Sequence, residues 1–203
     1  MKNNIETKNK LFATIFIFLV SIYSATIIHE IGHLIAYVSL GCNFANVWVS
    51  PLIIGYMECY SPQGFELLGF LPNFIATAAG ILFVSLIGLI FFLFYRWSKY
   101  VREHYVLTLI FYFFAFNFLL NGFFQSISGN DIYELKLNMS PFLAYIYAGI
   151  VGLILLFHTF KFKELILLVE PKIKEKKAKI ISIGFLVLVI LIAAVYFSLP
   201  YLL

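Results

Sequence analysis

The sequence predicts an all-α polytopic membrane protein of about five transmembrane helices, on three observations. Of its 203 residues, 63% are hydrophobic and only 12% are charged, where a soluble domain carries about 25% charge. Several apolar runs exceed the roughly 20 residues a helix needs to cross a bilayer. The lysines and arginines cluster beside those runs, as positive charge does on the cytoplasmic side of a membrane. The net charge of +4 therefore implies a lipid bilayer and no nucleic acid. No segment is long or polar enough for a soluble domain, which leaves a single membrane domain over residues 1–203.

The first span is expected over 11–38, where an uncharged run from Leu11 to Ile28 follows Lys2, Lys8 and Lys10. The run is too long for a signal peptide and no small-residue cleavage pattern follows, so it reads as an uncleaved helix. Residues 41–64 contain no Lys or Arg, and Val47–Val49 and Leu52–Ile54 have strand character around Ser50-Pro51. An interfacial loop or a short interfacial β-hairpin is expected there. If it dips to hydrocarbon depth, protein must cover its backbone. Cys42 and Cys59 fall in this connection. They pair if it faces an oxidising compartment and stay thiols otherwise.

The second span is expected over 66–95, with Ala78-Ala79-Gly80 as a surface for close helix packing. In the third, 105–127, Asn117, Asn121 and Gln125 recur every four residues with Ser128 three further on, an arc of about 80° on one face. Ser128-Gly129-Asn130-Asp131 then breaks the helix. A fourth span covers 141–160 and a fifth 180–199. Between them, 161–179 hold seven lysines against three glutamates around Leu165–Val169, a basic interfacial helix drawn to anionic lipid. Successive connections carry three, none, three, one and seven basic residues. That alternation places the N-terminus inside and the C-terminus outside a cell membrane crossed several times.

The chemistry lies in His29-Glu30-Ile31-Gly32-His33. Two histidines four apart share one helix face, about 40° apart around the axis, and can hold one divalent metal. The Glu between them can serve as general base. His29 lies about 27 Å along the helix from Leu11, in the far half of the bilayer. A third ligand is needed, and Asp131, ending the third span on the matching side, is the first candidate; Glu134 is the second. Otherwise Asp131 is an ordinary turn residue. Glu58 and Glu66 have no spacing that aims them at the first helix. His104 and His158 fall at the opposite, basic side and are expected at the interface, outside the site. Neutral imidazoles with a carboxylate suit zinc. Asn117 and Asn121 either bind substrate or oxyanion, or hydrogen-bond between helices.

With these residues the chain resembles the site-2 protease family of intramembrane zinc metalloproteases. The resemblance covers about residues 11–135 and rests on His29–His33 in one span, Ala78-Ala79-Gly80 in the next and an Asp after an Asn-bearing third. It implies a three-helix catalytic core with zinc on His29, His33 and Asp131 and Glu30 as catalytic base. The substrate would be a membrane protein, cut in or near a transmembrane segment that unwinds locally, with a regulatory membrane protein as a further partner. Residues 141–203 would be two accessory spans joined by the basic linker. The sequence departs from the family's usual Asn-x-x-Pro stretch and Asp-Gly pair: Asn121-Gly122-Phe123-Phe124 has no proline, and Ile132 follows Asp131. The family's site also generally opens to the cytosol, whereas the lysine count puts this one in the outer half. Three alternatives stand beside it. One is a membrane zinc protease using Glu134. Another is a non-catalytic pseudo-protease or regulator that binds metal and holds a client helix. The third is an ion or proton relay.

Overall fold

The computed structural model describes residues 2–41, 44–49, 55–60, 70–128, 141–170 and 172–198. A proline-free run builds one long helix, α1, over Lys2–Ser39. It ends at Gly41, whose φ of 97° is a left-handed conformation that glycine adopts without a side-chain penalty. Strands β1 (Phe44–Val49) and β2 (Gly55–Tyr60) pair antiparallel, from Phe44 opposite Tyr60 to Val49 opposite Gly55. Residues 52–54, expected to form the second strand, lie outside the described residues, as does any bond between Cys42 and Cys59.

Helix α2 covers Phe70–Trp97, with Pro72 in its first turn, where a missing N–H leaves no intrahelical bond unmade. The short α3 (Lys99–Glu103) starts at Ser98, whose hydroxyl accepts the Val101 N–H at 3.3 Å. Then come α4 (Tyr105–Ser128), α5 (Pro141–Thr159), α6 (Phe162–Val169) and α7 (Glu175–Ser198). Among the described residues, three helical segments are long and apolar enough to cross a membrane: Asn9–Ser39, Phe74–Trp97 and Tyr105–Ile127. The chain is a membrane protein in that sense.

Helix α4 is the centre of the bundle. Of its most apolar window 56% is buried, against 17% for α1 and 33% for α2, and it packs on α1, α2 and α5. Two polar contacts fix how α1 lies along it. The Tyr105 hydroxyl donates to the Lys10 carbonyl at 2.9 Å, and the Asn117 amide donates to Ser21 Oγ at 2.6 Å. Partners 95 and 96 residues apart make the two helices parallel with a constant register. Against α2, α4 comes close at Gly88, where a Cβ would lie 2.9 Å from Phe118 Cβ and 3.0 Å from the Leu119 backbone nitrogen.

The basic end of the bundle departs from expectation in two places. His158 is not interfacial but fully buried. Its ring stacks on Tyr112 at 4.3 Å between centroids and meets Tyr95 edge-on, while Nε2–H donates to the Tyr112 carbonyl at 3.0 Å. The aromatic side chains of α2 and α4 enclose it, an environment that a hydropathy pattern along one helix does not reveal. Helix α6 also does not give its apolar side wholly to lipid: Leu165 is buried, and Phe162 stacks on Phe185 of α7 at 4.2 Å. Lys163 Nζ donates to Glu175 at 2.7 Å, tying α6 to α7. That bond holds the Glu175 carboxyl below its usual range and the Lys163 ammonium above its own. A lowered carboxyl value means the tie is present at neutral pH and lost as pH falls through that value. His104, by contrast, is exposed and bonds the Tyr100 carbonyl.

The α2–α4 contact makes a first prediction. Gly88→Ala forces the helices apart and lowers the unfolding free energy in SDS titration by about 1–3 kcal/mol. Gly149→Ala, where nothing lies within 4 Å, changes it by less than about 0.5 kcal/mol.

Candidate metal centre

His29 and His33 sit one helical turn apart on α1, and both are buried, at 2% and 6% exposure. Glu30, between them, is 6% exposed. Ionisable side chains are costly at membrane depth, so three together in an apolar helix are the first candidates for a functional site. The small residues beside them, Ala25, Gly32 and Ala36, are buried, and so are Thr26 and Tyr37 on the other flank. The whole face therefore packs on protein, and both strands of the hairpin also lie against α1.

Glycine brings α2 onto this face. A Cβ on Gly32 would lie 2.7 Å from the Ala79 carbonyl oxygen and 2.8 Å from Gly80 Cα. Gly80 lies against the His33 imidazole, and a Cβ there would run into Nε2 and come within 2.8 Å of Cδ2. With the backbones this close, His33 Nδ1 reaches the Ala76 carbonyl at 2.8 Å. A carbonyl only accepts, so Nδ1 carries the proton, and in the neutral ring Nε2 keeps its lone pair. That lone pair meets His29 Nε2 at 3.1 Å, with the rings 85° apart and 4.7 Å between centroids.

The arrangement fits a zinc ion. Two nitrogens bound to a tetrahedral zinc at about 2.0–2.1 Å lie about 3.3 Å apart, close to the 3.1 Å separation here. The Nδ1–H to backbone carbonyl bond is the outer-shell partner that metal-ligating histidines characteristically have. In the metal-free ring pair His29 Nε2–H supplies the proton between the nitrogens, and metal binding would displace it.

No family model, curated protein or solved structure matches this chain. The site is therefore read from its own geometry. Among the described residues no group of three His, Cys, Asp or Glu side chains forms a ligand set, and Asp131 and Glu134 lie outside those residues. Register does place the described end of α4 level with the histidines. With the offset of 96 fixed at Ser21 and Asn117, Gln125 stands level with His29 (125 − 96 = 29). The last described turn of α4 thus reaches the height of the histidines.

The two asparagines separate. Asn117 is buried and spends its amide on Ser21, whose own hydroxyl donates to the Phe18 carbonyl at 2.7 Å. Asn121, one turn nearer the histidines, is half-buried, and its Oδ1 has no hydrogen-bond partner among the described residues. Sequence reasoning passed over Ser21 and the Ala76 carbonyl. Ser21 is one of several hydroxyls in the apolar run before His29, with Thr14, Ser24 and Thr26, so nothing in the sequence singles it out; a backbone carbonyl has no signal either.

The Ser21–Asn117 bond predicts non-additivity. In a double-mutant cycle of Ser21→Ala and Asn117→Ala, SDS unfolding should return a coupling of about 0.6–1.7 kcal/mol. Additive losses would place Asn117 outside the α1–α4 contact.

Proposed function

We propose that this chain is an intramembrane zinc metalloprotease, hydrolysing a peptide bond in or near a transmembrane segment of a membrane-protein substrate. The observation that carries the reading is the convergence of His29 and His33 Nε2, 3.1 Å apart, on a helix long and apolar enough to cross a membrane. His29, His33 and Asp131 are the assigned zinc ligands, with Glu134 the alternative third. The protein is read as a multi-pass component of the cell membrane with five spans, its N-terminus inside.

Zinc, when bound, supplies Lewis acidity, lowering the pKa of a water towards 7 and polarising the scissile carbonyl. Glu30 takes the proton of the attacking water and returns it to the leaving amine. The amide of Asn121 is the one left to donate to the developing oxyanion, because Asn117 is committed to Ser21. Ala76 holds the His33 ring in one tautomer, so no reorientation is needed as the reaction proceeds. Among the described residues β1 and β2 pair only with each other. Each strand keeps an outer edge, on which an unwound substrate segment can form backbone hydrogen bonds.

Metal analysis and cleavage assays on the purified chain test this. The wild type should carry about one zinc per chain. Glu30→Gln should keep the metal and lose about 10²–10⁴-fold in cleavage of a membrane-protein substrate. A wild type without zinc overturns the proposal, and a Glu30→Gln variant that still cleaves removes Glu30 as base. Bound zinc with no cleavage would favour the pseudo-protease reading. Loss of zinc in Asp131→Ala with retention in Glu134→Ala settles the third ligand. Gly80→Ala, which displaces the His33 ring, should weaken zinc binding about 10–100-fold.

A further inference from the structure

We infer that the lysines leading into α7 and at its start form a binding site for the headgroups of anionic phospholipids, and that Lys161 and Lys163, at the start of α6, do not contribute to it. The distinction comes from ion pairing. Of the seven lysines over 161–179, Lys161 is paired with Glu164 and Lys163 with Glu175. The remaining carboxylate, Glu170, accepts the backbone N–H of Lys172 at 3.4 Å. Lys172, Lys174, Lys176, Lys177 and Lys179 are all exposed, and none has an ion pair among the described residues.

Their position names the occupant. Immediately after Lys179 the outer surface of α7 turns apolar: Ile180, Ile183 and Leu188 are exposed. On the inner side Ala178 and Ser182 are buried. Helix α2 has the same boundary in reverse, with exposed Phe94 followed by exposed Arg96, Trp97 and Tyr100. Amphipathic aromatic and basic side chains gather at this depth, where hydrocarbon gives way to headgroups. Both boundaries lie at one end of the bundle, joined through the Tyr95–His158, Tyr112–His158, Tyr112–Phe162 and Phe162–Phe185 ring contacts. By their spacing Lys176 and Lys179 share one side of the helix and Lys177 lies about 100° from Lys176, so the three spread over about 160° of the circumference and suit a fluid sheet of headgroups better than a groove-bound acidic peptide. The inference rests on the membrane reading and not on the metal chemistry at the other end.

The full chain reconstituted in phosphatidylcholine bilayers, with trace spin-labelled phosphatidylglycerol or phosphatidylcholine, tests it by the motionally restricted fraction of each label. The wild type should prefer the anionic lipid at least about fivefold at low salt, and the preference should fall in about 1 M salt. K172Q/K174Q/K176Q/K177Q should bring it below about twofold, whereas K161Q/E164Q, which removes an ion pair without changing the net charge, should leave it unchanged. K172Q/K174Q alone lies ahead of α7, leaves that helix intact, and should lower the preference part of the way. A wild type without preference, a preference that survives the four substitutions, or an equal loss in K161Q/E164Q overturns the assignment. So would binding of polyglutamate without lipid selectivity, which points to an acidic protein instead.

Discussion

The closeness of α1 and α2 at Gly32 and Gly80 is the constraint on which the rest depends. In hydrocarbon, helices gain nothing from being apolar, so they associate through van der Waals contact and hydrogen bonds, both of which need short distances. Missing side chains at Gly32 and Gly80 supply the distance, and the backbone of α2 then reaches an imidazole of α1. The Ala76 carbonyl takes the proton side of His33, and the lone-pair side is left facing His29. A side chain at either glycine would move one helix, break the carbonyl bond and release the ring. Packing, tautomer and ligand geometry are thus one event.

A second constraint sets height rather than distance. Helix α4 is parallel to α1, held at Lys10–Tyr105 and Ser21–Asn117, contacts about three helical turns apart along α1. The buried Ser21–Asn117 bond has no water to compete with it, so slipping one helix past the other by a turn would leave an amide and a hydroxyl unmatched at membrane depth. Register fixed there carries to the end of α4 and decides which residues stand beside the histidines. Asn117 is therefore an upstream determinant of the site although it never touches it.

Much of this was legible in the sequence, and the reasons it failed elsewhere are physical. Period and spacing place His29 and His33 on one face, and length with composition gives the three long apolar helices. The small residues around the motif announce a protein-facing surface, which the burial of Ala25, Gly32 and Ala36 bears out. What a one-dimensional pattern cannot carry is contact between distant segments. His158 looks interfacial along its own helix, yet Phe92, Tyr95 and Tyr112 from two other helices close around it. Asn117 and Asn121 look equivalent by spacing, yet one meets a hydroxyl across the interface and the other does not. Helix α6 looks like a lipid-facing strip, yet Leu165 and Phe162 are used by the bundle.

The two ends of the bundle differ in a way that bears on the proposed hydrolysis inside a bilayer. Peptide hydrolysis needs water and an unwound substrate, and both are scarce at the midplane. The histidines lie about four turns along α1 from the contact of Thr14 with the Tyr105 hydroxyl. They are near the end of α1 from which the hairpin folds back. The opposite end is closed by aromatic stacking under α6 and edged by the lysines that start α7. An anionic leaflet that held those lysines at headgroup level would also fix the height of α7 and of the α6 strap against α4. Because α1 is registered to α4 through Asn117, lipid contact at one end would set the depth of the histidines at the other. On the proposed protease reading, depth more than side-chain recognition would then decide which bond of a substrate helix can reach the histidines.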